Sequence, residues 1–256
     1  MSTFDLSTSE FQALYELLKR RSLWGAADRG ALNNISTTDV VAAASDVWVG
    51  RTVSLGVPAA SQPAADNPEP CLHRVTSSSP SPAGLDGPAG DEIVGRGLLV
   101  DIPRARGVRW LEPGDHVTTD DLAAAEEAQD VRIGQGDLLF VRVGHRRRRS
   151  ELGPWDAAQA RAGLHPTALE LLADRQVAVL GSDGDNDTAA SAVEGVDRPV
   201  HVLAINAMGL PLLDYLYFED LVALCEDRRR WSFLCVIAPL GIRAGGASPV
   251  NPIAIF

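Results

Sequence analysis

Apolar positions along the chain switch between two periods. Ser7 and Glu10 form an S-x-x-E pattern that starts a helix, because hydroxyl and carboxylate each satisfy a backbone N–H. Phe11, Leu14, Leu17 and Leu18 then fall on one helical face, and Trp24-Gly25 is the expected end. Thr37, Thr38 and Asp39 start a second helix through Ala44, and Thr118, Thr119, Asp120 and Asp121 a third to about Ala128. Pro166 suits the first turn of a helix over 165–175, and 218–226 reads as another. Between them lie apolar runs at 97–102, 137–143, 177–180, 200–205 and 233–238, with a further strand at 52–57. Such short, bounded runs predict buried strands. Strands alternating with helices predict an α/β fold with a mixed sheet flanked by helices. No internal repeat is present.

The texture changes at 58–91, where seven of the sixteen prolines lie, with Ser77-Ser78-Ser79 and several glycines. This stretch reads as a long loop or flap inside a single domain spanning 1–256. The length of 256 residues suits one domain with a full core.

Charge narrows the function. Acidic residues outnumber basic ones, 34 to 23, for a net charge of −11. Nucleic-acid binding and a polybasic membrane anchor both want the opposite sign. The run Arg146 to Arg149 reads as a solvated loop after a strand. Cys71, Cys225 and Cys235 are too few and too irregular for a disulfide framework. With no apolar stretch long enough for a bilayer and no basic-apolar leader, the expectation is a cytoplasmic protein acting on a small molecule.

Familiar chemical motifs are missing. The five histidines, His73, His116, His145, His165 and His201, include no i, i+4 pair. There is no G-x-S-x-G elbow. Asp183-Gly184-Asp185-Asn186-Asp187 begins like a calcium loop but lacks the glycine at its sixth position, and reads as a solvated turn. The segment 241–246 reads as a flexible connection. His201 begins an apolar strand and Asp214 follows thirteen residues later, which allows either an oriented acid/base pair or a histidine satisfied by backbone. Tyr215, Tyr217 and Phe218 can line a pocket or fill the core.

Several stretches in order carry a resemblance: Trp24-Gly25-Ala26-Ala27-Asp28-Arg29-Gly30-Ala31-Leu32-Asn33, Gly97-Leu98-Leu99-Val100-Asp101-Ile102-Pro103, Gly134-Gln135-Gly136-Asp137, Glu151-Leu152-Gly153-Pro154-Trp155, Leu180-Gly181-Ser182-Asp183-Gly184 and Ser248-Pro249-Val250-Asn251-Pro252. This set resembles the cyclase family that includes bacterial kynurenine formamidase and isatin hydrolase. The resemblance implies a barrel-like mixed sheet flanked by helices, a homodimer or higher homo-oligomer, and metal-dependent hydrolysis. It also implies a motif H-x-G-T-H-x-D-x-P-x-H before the strand at Gly97. That motif is missing: Cys71-Leu72-His73-Arg74-Val75-Thr76 runs into Ser/Pro/Gly-rich sequence and then Gly95-Arg96-Gly97. His201 matches the family histidine near the metal, and Asp214 the carboxylate after it. Two side chains do not hold a catalytic zinc, which needs about three protein ligands.

The expectation is therefore an enzyme without metal or cofactor. It would perform a cyclisation or pericyclase-like rearrangement of a conjugated, polyketide-type intermediate in secondary metabolism. His201, Asp214 and Tyr215 are the expected catalytic residues, and Trp24, Asn33, Tyr217 and Asn251 the expected substrate contacts. A metal-dependent hydrolase of an amide, lactam or formamide, and a non-catalytic binding or scaffold protein, are the alternatives.

Overall fold

A computed structural model describes residues 5–22, 29–57, 63–68, 92–239 and 250–256. Trp24, Cys71, His73, the segment 241–246 and most of 58–91 lie outside the described residues.

The capped helices form where their signals stand. Helix α1 spans Thr8–Arg21, with Ser7 and Glu10 closing the reciprocal cap. Helix α2 spans Thr37–Ser45, capped by Ser36 one residue earlier than the threonine pair. Helix α4 spans Thr119–Gln129 and is capped by Thr118 and Asp121. Phe11, Leu14 and Leu18 of α1 are buried in the chain's own core.

Strands β2 (Ile93–Asp101), β4 (Leu138–Arg142) and β6 (Val179–Ser182) run parallel, side by side, at the centre of the molecule. Strand β7 (Leu212–Leu213) joins parallel to β6. On the other flank β8 (Ser232–Ile237), β9 (Ile253–Ile255) and β1 (Thr52–Ser54) add antiparallel, giving the seven-stranded order β1-β9-β8-β2-β4-β6-β7. The sheet is mixed and curls into a half-barrel flanked by helices, as expected. Helix α3 (Ile102–Arg106) and the small parallel pair β3 (His116–Val117) and β5 (Gly163–Leu164) complete this part.

Both faces of the central strands are covered, which is why they read as continuous apolar runs. Leu98, Val100, Leu139, Val141 and Leu180 pack on the face that carries α1, α4 and helix α6 (Ala168–Asp174). Leu99, Leu138, Phe140 and Val179 pack on the opposite face with Phe218, Phe233 and Phe256 under helix α8 (Glu219–Arg228). Gly97 has no room for a side chain, since a Cβ would lie 2.2 Å from the Phe233 ring.

Two expectations fail here. The arginine run is not a solvated loop: His145–Leu152 is helix α5. Arg146 donates to the carbonyls of Tyr215 and Leu216, and Arg147, Arg148 and Arg149 pair with Glu151, Glu112 and Asp66. Nor is 200–205 a strand. Pro199–His201 form the first turn of a helix, α7, that widens and runs on through Val202–Ala207.

Candidate active site

The central parallel strands deliver their C-terminal ends to one place, which is where α/β sheets commonly bind ligands. Strand β4 leads into Gly144 and α5, and β6 into the loop Asp183–Asp187. That loop is not a solvated turn. Asp183, Asp185, Asn186 and Asp187 are all buried, at 0–5% exposure. Buried carboxylates require partners, and the fold supplies them from distant sequence. Asp183 Oδ1 accepts the backbone N–H groups of Val143 and Gly144 at 2.7 and 3.3 Å. Burial pushes its carboxyl up to about 6, against the pull of Arg142. Gly163 lets the loop come close, since a Cβ there would lie 2.5 Å from the Asp187 carbonyl carbon.

Asp187 explains the helix that the apolar pattern hides. Its Oδ1 accepts the Val200 N–H at 2.6 Å and its Oδ2 the His201 N–H at 3.1 Å. These are first-turn donors that a helix leaves unpaired, so a buried carboxylate from another segment caps it. Pro199 adds a preset φ at the start. Together they override the β-branched residues Val200, Val202 and Ile205.

The same carboxylate holds the ring. His201 Nδ1 lies 2.5 Å from Asp187 Oδ2, and Nε2 lies 3.1 Å from Asp214 Oδ2. Asp214 is aimed by Asn186, whose backbone N–H and Nδ2 donate to its Oδ1 at 2.9 and 2.8 Å. Arg198 Nη2 also lies 2.8 Å from His201 Nε2. A neutral ring would accept from Arg198; a charged ring donates to Asp214. The two flanking carboxylates decide for the charged form. Burial lowers the His201 pKa, but the bonds to Asp187 and Asp214 outweigh it and raise it to about 9. In turn, His201 holds the Asp214 carboxyl below its ordinary range despite burial.

The structure thus brings His201 and Asp214 together, with Tyr215 next in the chain. Tyr215 sits at φ +57° and is 36% exposed. Its ring packs edge-on to His145, 5.5 Å between centroids, and Trp155 covers His145 at 4.7 Å. Burial, then the Asp185 carboxylate, raises the phenol pKa, which keeps it a hydrogen-bond donor. Tyr217 borders a different cavity, an open groove with Arg146, Glu219 and Val222. Asn33 donates to the Gly30 carbonyl, and Asn251 accepts from Ser54 and Gly56 at the end of β1. Sequence reasoning missed Asp185, Asp187, Asn186 and Arg198. Their one signal was a dense acidic loop directly after a buried strand.

The donor atoms of Asp185, Asp187 and His201 lie within 4.8 Å of one another, near enough for a metal ion. The bonds already made there do not suit one. Both Asp185 oxygens bind Arg198, at 3.1 and 3.0 Å, and Arg161 approaches at 3.4 Å. Asp187 is spent on the helix N–H groups and His201. Three carboxylates, Asp185, Asp187 and Asp214, are matched by Arg161, Arg198 and the charged His201. A divalent ion would have to expel the guanidinium and the imidazole proton.

Comparison with known proteins gives a partial family match and a shared fold. Residues 69–186 match a family model described as "Putative cyclase". A crystal structure described as a novel cyclase superposes with a TM-score of 0.78 at 23% identity, covering 94% of this chain and 99% of the other. A structure of a "potential metal-dependent hydrolase with cyclase activity" gives 0.50 at 18% identity, covering 80% and 96%. Isatin hydrolase A from Labrenzia aggregata gives 0.48 at 21% identity, covering 64% and 62%. No similar sequence is found among curated proteins. Residues 69–186 are thus similar to the cyclase family model, and the chain shares the fold of the novel-cyclase structure over nearly all of its length.

Proposed function

We propose that this chain is a metal-independent cyclase or rearrangement enzyme acting on a small conjugated molecule, of the polyketide kind, in secondary metabolism. One observation carries the reading: the acidic cluster around His201 is balanced by the protein's own cations. Such a site offers fixed dipoles and hydrogen-bond donors, not an activated water. Ring closure or rearrangement of a reactive conjugated substrate needs a held conformer and a donor on the oxygen that gains charge. The charged His201 has both N–H groups engaged by Asp187 and Asp214 and acts through its charge. The Tyr215 hydroxyl is the free donor; it makes no hydrogen bond among the described residues. A donor of this kind is worth about 3 kcal/mol at the transition state, roughly a hundredfold in rate.

A second reading, a metal-dependent hydrolase, draws on the mutual closeness of the Asp185, Asp187 and His201 donor atoms. One experiment separates them. The purified protein is analysed for metals, then incubated with conjugated carbonyl substrates, and products are weighed by mass spectrometry. An isomerising cyclase leaves the mass unchanged and ignores chelators. A product heavier by one water, with stoichiometric zinc or manganese lost together with activity on chelation, overturns the proposal.

A further inference from the structure

One nitrogen occupies the centre of the acidic cluster. Arg198 Nη2 lies 3.1 and 3.0 Å from the two Asp185 oxygens, 2.8 Å from His201 Nε2 and 3.6 Å from Asp214 Oδ2. Two carboxylates and an imidazole nitrogen that has given up its proton are what a divalent ion collects; in the charged ring that proton goes to Asp214, and Asp185 is what holds Arg198 Nη2. Here the point is filled by a covalently tethered cation. Arg198 stands immediately before Pro199, so the first turn of the Asp187-capped helix fixes its backbone.

Its charge is balanced, but its hydrogen-bond donors are only partly spent. Asp185 is also approached by Arg161, and Asp214 is bonded to His201. Nε and Nη1 of Arg198 make no hydrogen bond among the described residues, and the side chain is 47% exposed. A guanidinium offers five N–H groups in a rigid plane and keeps its charge at any working pH. With Nη2 anchored inward, the remaining donors are left for something that arrives from outside.

We infer that Arg198 is the resident cation of this site, standing where a metal ion would stand, and that its outer N–H groups hold an oxyanion of the substrate, a carboxylate or enolate oxygen. This rests on the metal-independent reading above and narrows the substrate to an anionic or enolisable conjugated compound. A carboxylate held there makes charge-assisted hydrogen bonds. An enolate oxygen formed during ring closure is stabilised in the same way.

The test empties the central point. Arg198→Ala leaves three carboxylates facing Arg161 and His201, with a gap where Nη2 stood. Cobalt(II) is offered to wild type and variant, followed by desalting, metal analysis, visible spectroscopy and thermal melting. The variant is expected to retain about one cobalt per chain, with d–d absorption and a raised Tm, while the wild type retains none. Should Arg198→Ala not fold without metal, it and Arg198→Ser are refolded in the presence of cobalt and read in the same way. If neither variant takes up cobalt and the wild type is also metal-free, this inference fails and the functional reading stands. Stoichiometric cobalt on the wild type overturns both. Benzoate, a flat conjugated carboxylate, probes the oxyanion role by tryptophan fluorescence. Binding is expected to weaken at least tenfold in Arg198→Ser and to survive in Arg198→Lys. Equal affinity in all three proteins, or none in the wild type at millimolar benzoate, refutes that role.

Discussion

Asp187→Asn tests the electrostatic logic of the site. His201 is raised from 6.5 to about 9, with Asp187 and Asp214 both holding its charge. That rise corresponds to about 3 kcal/mol of preference for the charged ring in the fold. The sign follows from a pKa above its unfolded value. The contribution is complete below about 6.5 and is lost as pH climbs through about 9. Wild-type stability should therefore decline across pH 6.5–9 by up to about 3 kcal/mol on account of this one ring. The asparagine keeps an oxygen for the Val200 N–H and loses the acceptor of the His201 N–H, so one of the two helix-start bonds is retained. It removes the charge beside Nδ1, which is the larger of the two hydrogen-bond contributions. The His201 pKa should fall by a unit or more, about 1.4 kcal/mol, and the decline in stability should shrink to match. Ring nitrogens are followed by long-range proton–nitrogen NMR across pH 5–10, and stability by urea denaturation at the two ends of the window. A wild-type His201 that titrates at or below 6.5, or an unchanged pKa in the variant, refutes the reasoning.

Other outcomes follow from the same contacts. His201→Ala should slow turnover by about ten- to a thousandfold with a native circular dichroism spectrum, and unchanged kinetics in both His201→Ala and Tyr215→Phe would move the site elsewhere. Arg142 is buried between Asp101 and Glu219 at 3.0 and 2.9 Å, so Arg142→Met should cost about 3–5 kcal/mol in urea unfolding by stranding buried Asp101; a cost under about 1 kcal/mol contradicts this. Gly163→Ala should destabilise by about 1–3 kcal/mol and depress activity, because its Cβ displaces the Asp187 backbone; a neutral effect on both refutes the close approach. Cys225 and Cys235 are buried with thiols pushed well above their ordinary range, so in a Cys71→Ser background a thiol reagent should label them only on unfolding; fast labelling of either one in the folded chain would contradict that.

Local chemistry was legible in the sequence. The Ser7/Glu10 and Thr118/Asp121 caps formed as read, since each cap closes within four residues and needs nothing from the rest of the chain. The central strands at Leu98–Val100 and Leu138–Val141 were legible because burial on both faces demands unbroken apolar runs. The pairing of His201 with Asp214 was one of two readings the sequence allowed, and family resemblance added weight to it. What the tertiary structure alone decided concerns charge. An acidic loop reads as solvated until its partners are known, and those partners lie elsewhere: Val143 and Gly144 for Asp183, Arg161 and Arg198 for Asp185, Val200 and His201 for Asp187. The helix at 199–207 was hidden for the same reason. Its β-branched residues favour a strand locally, and its cap is a carboxylate more than ten residues away, brought there only when β6 and its loop are in place. A buried charge is stable only against a partner, and chain distance does not reveal which partners folding will supply.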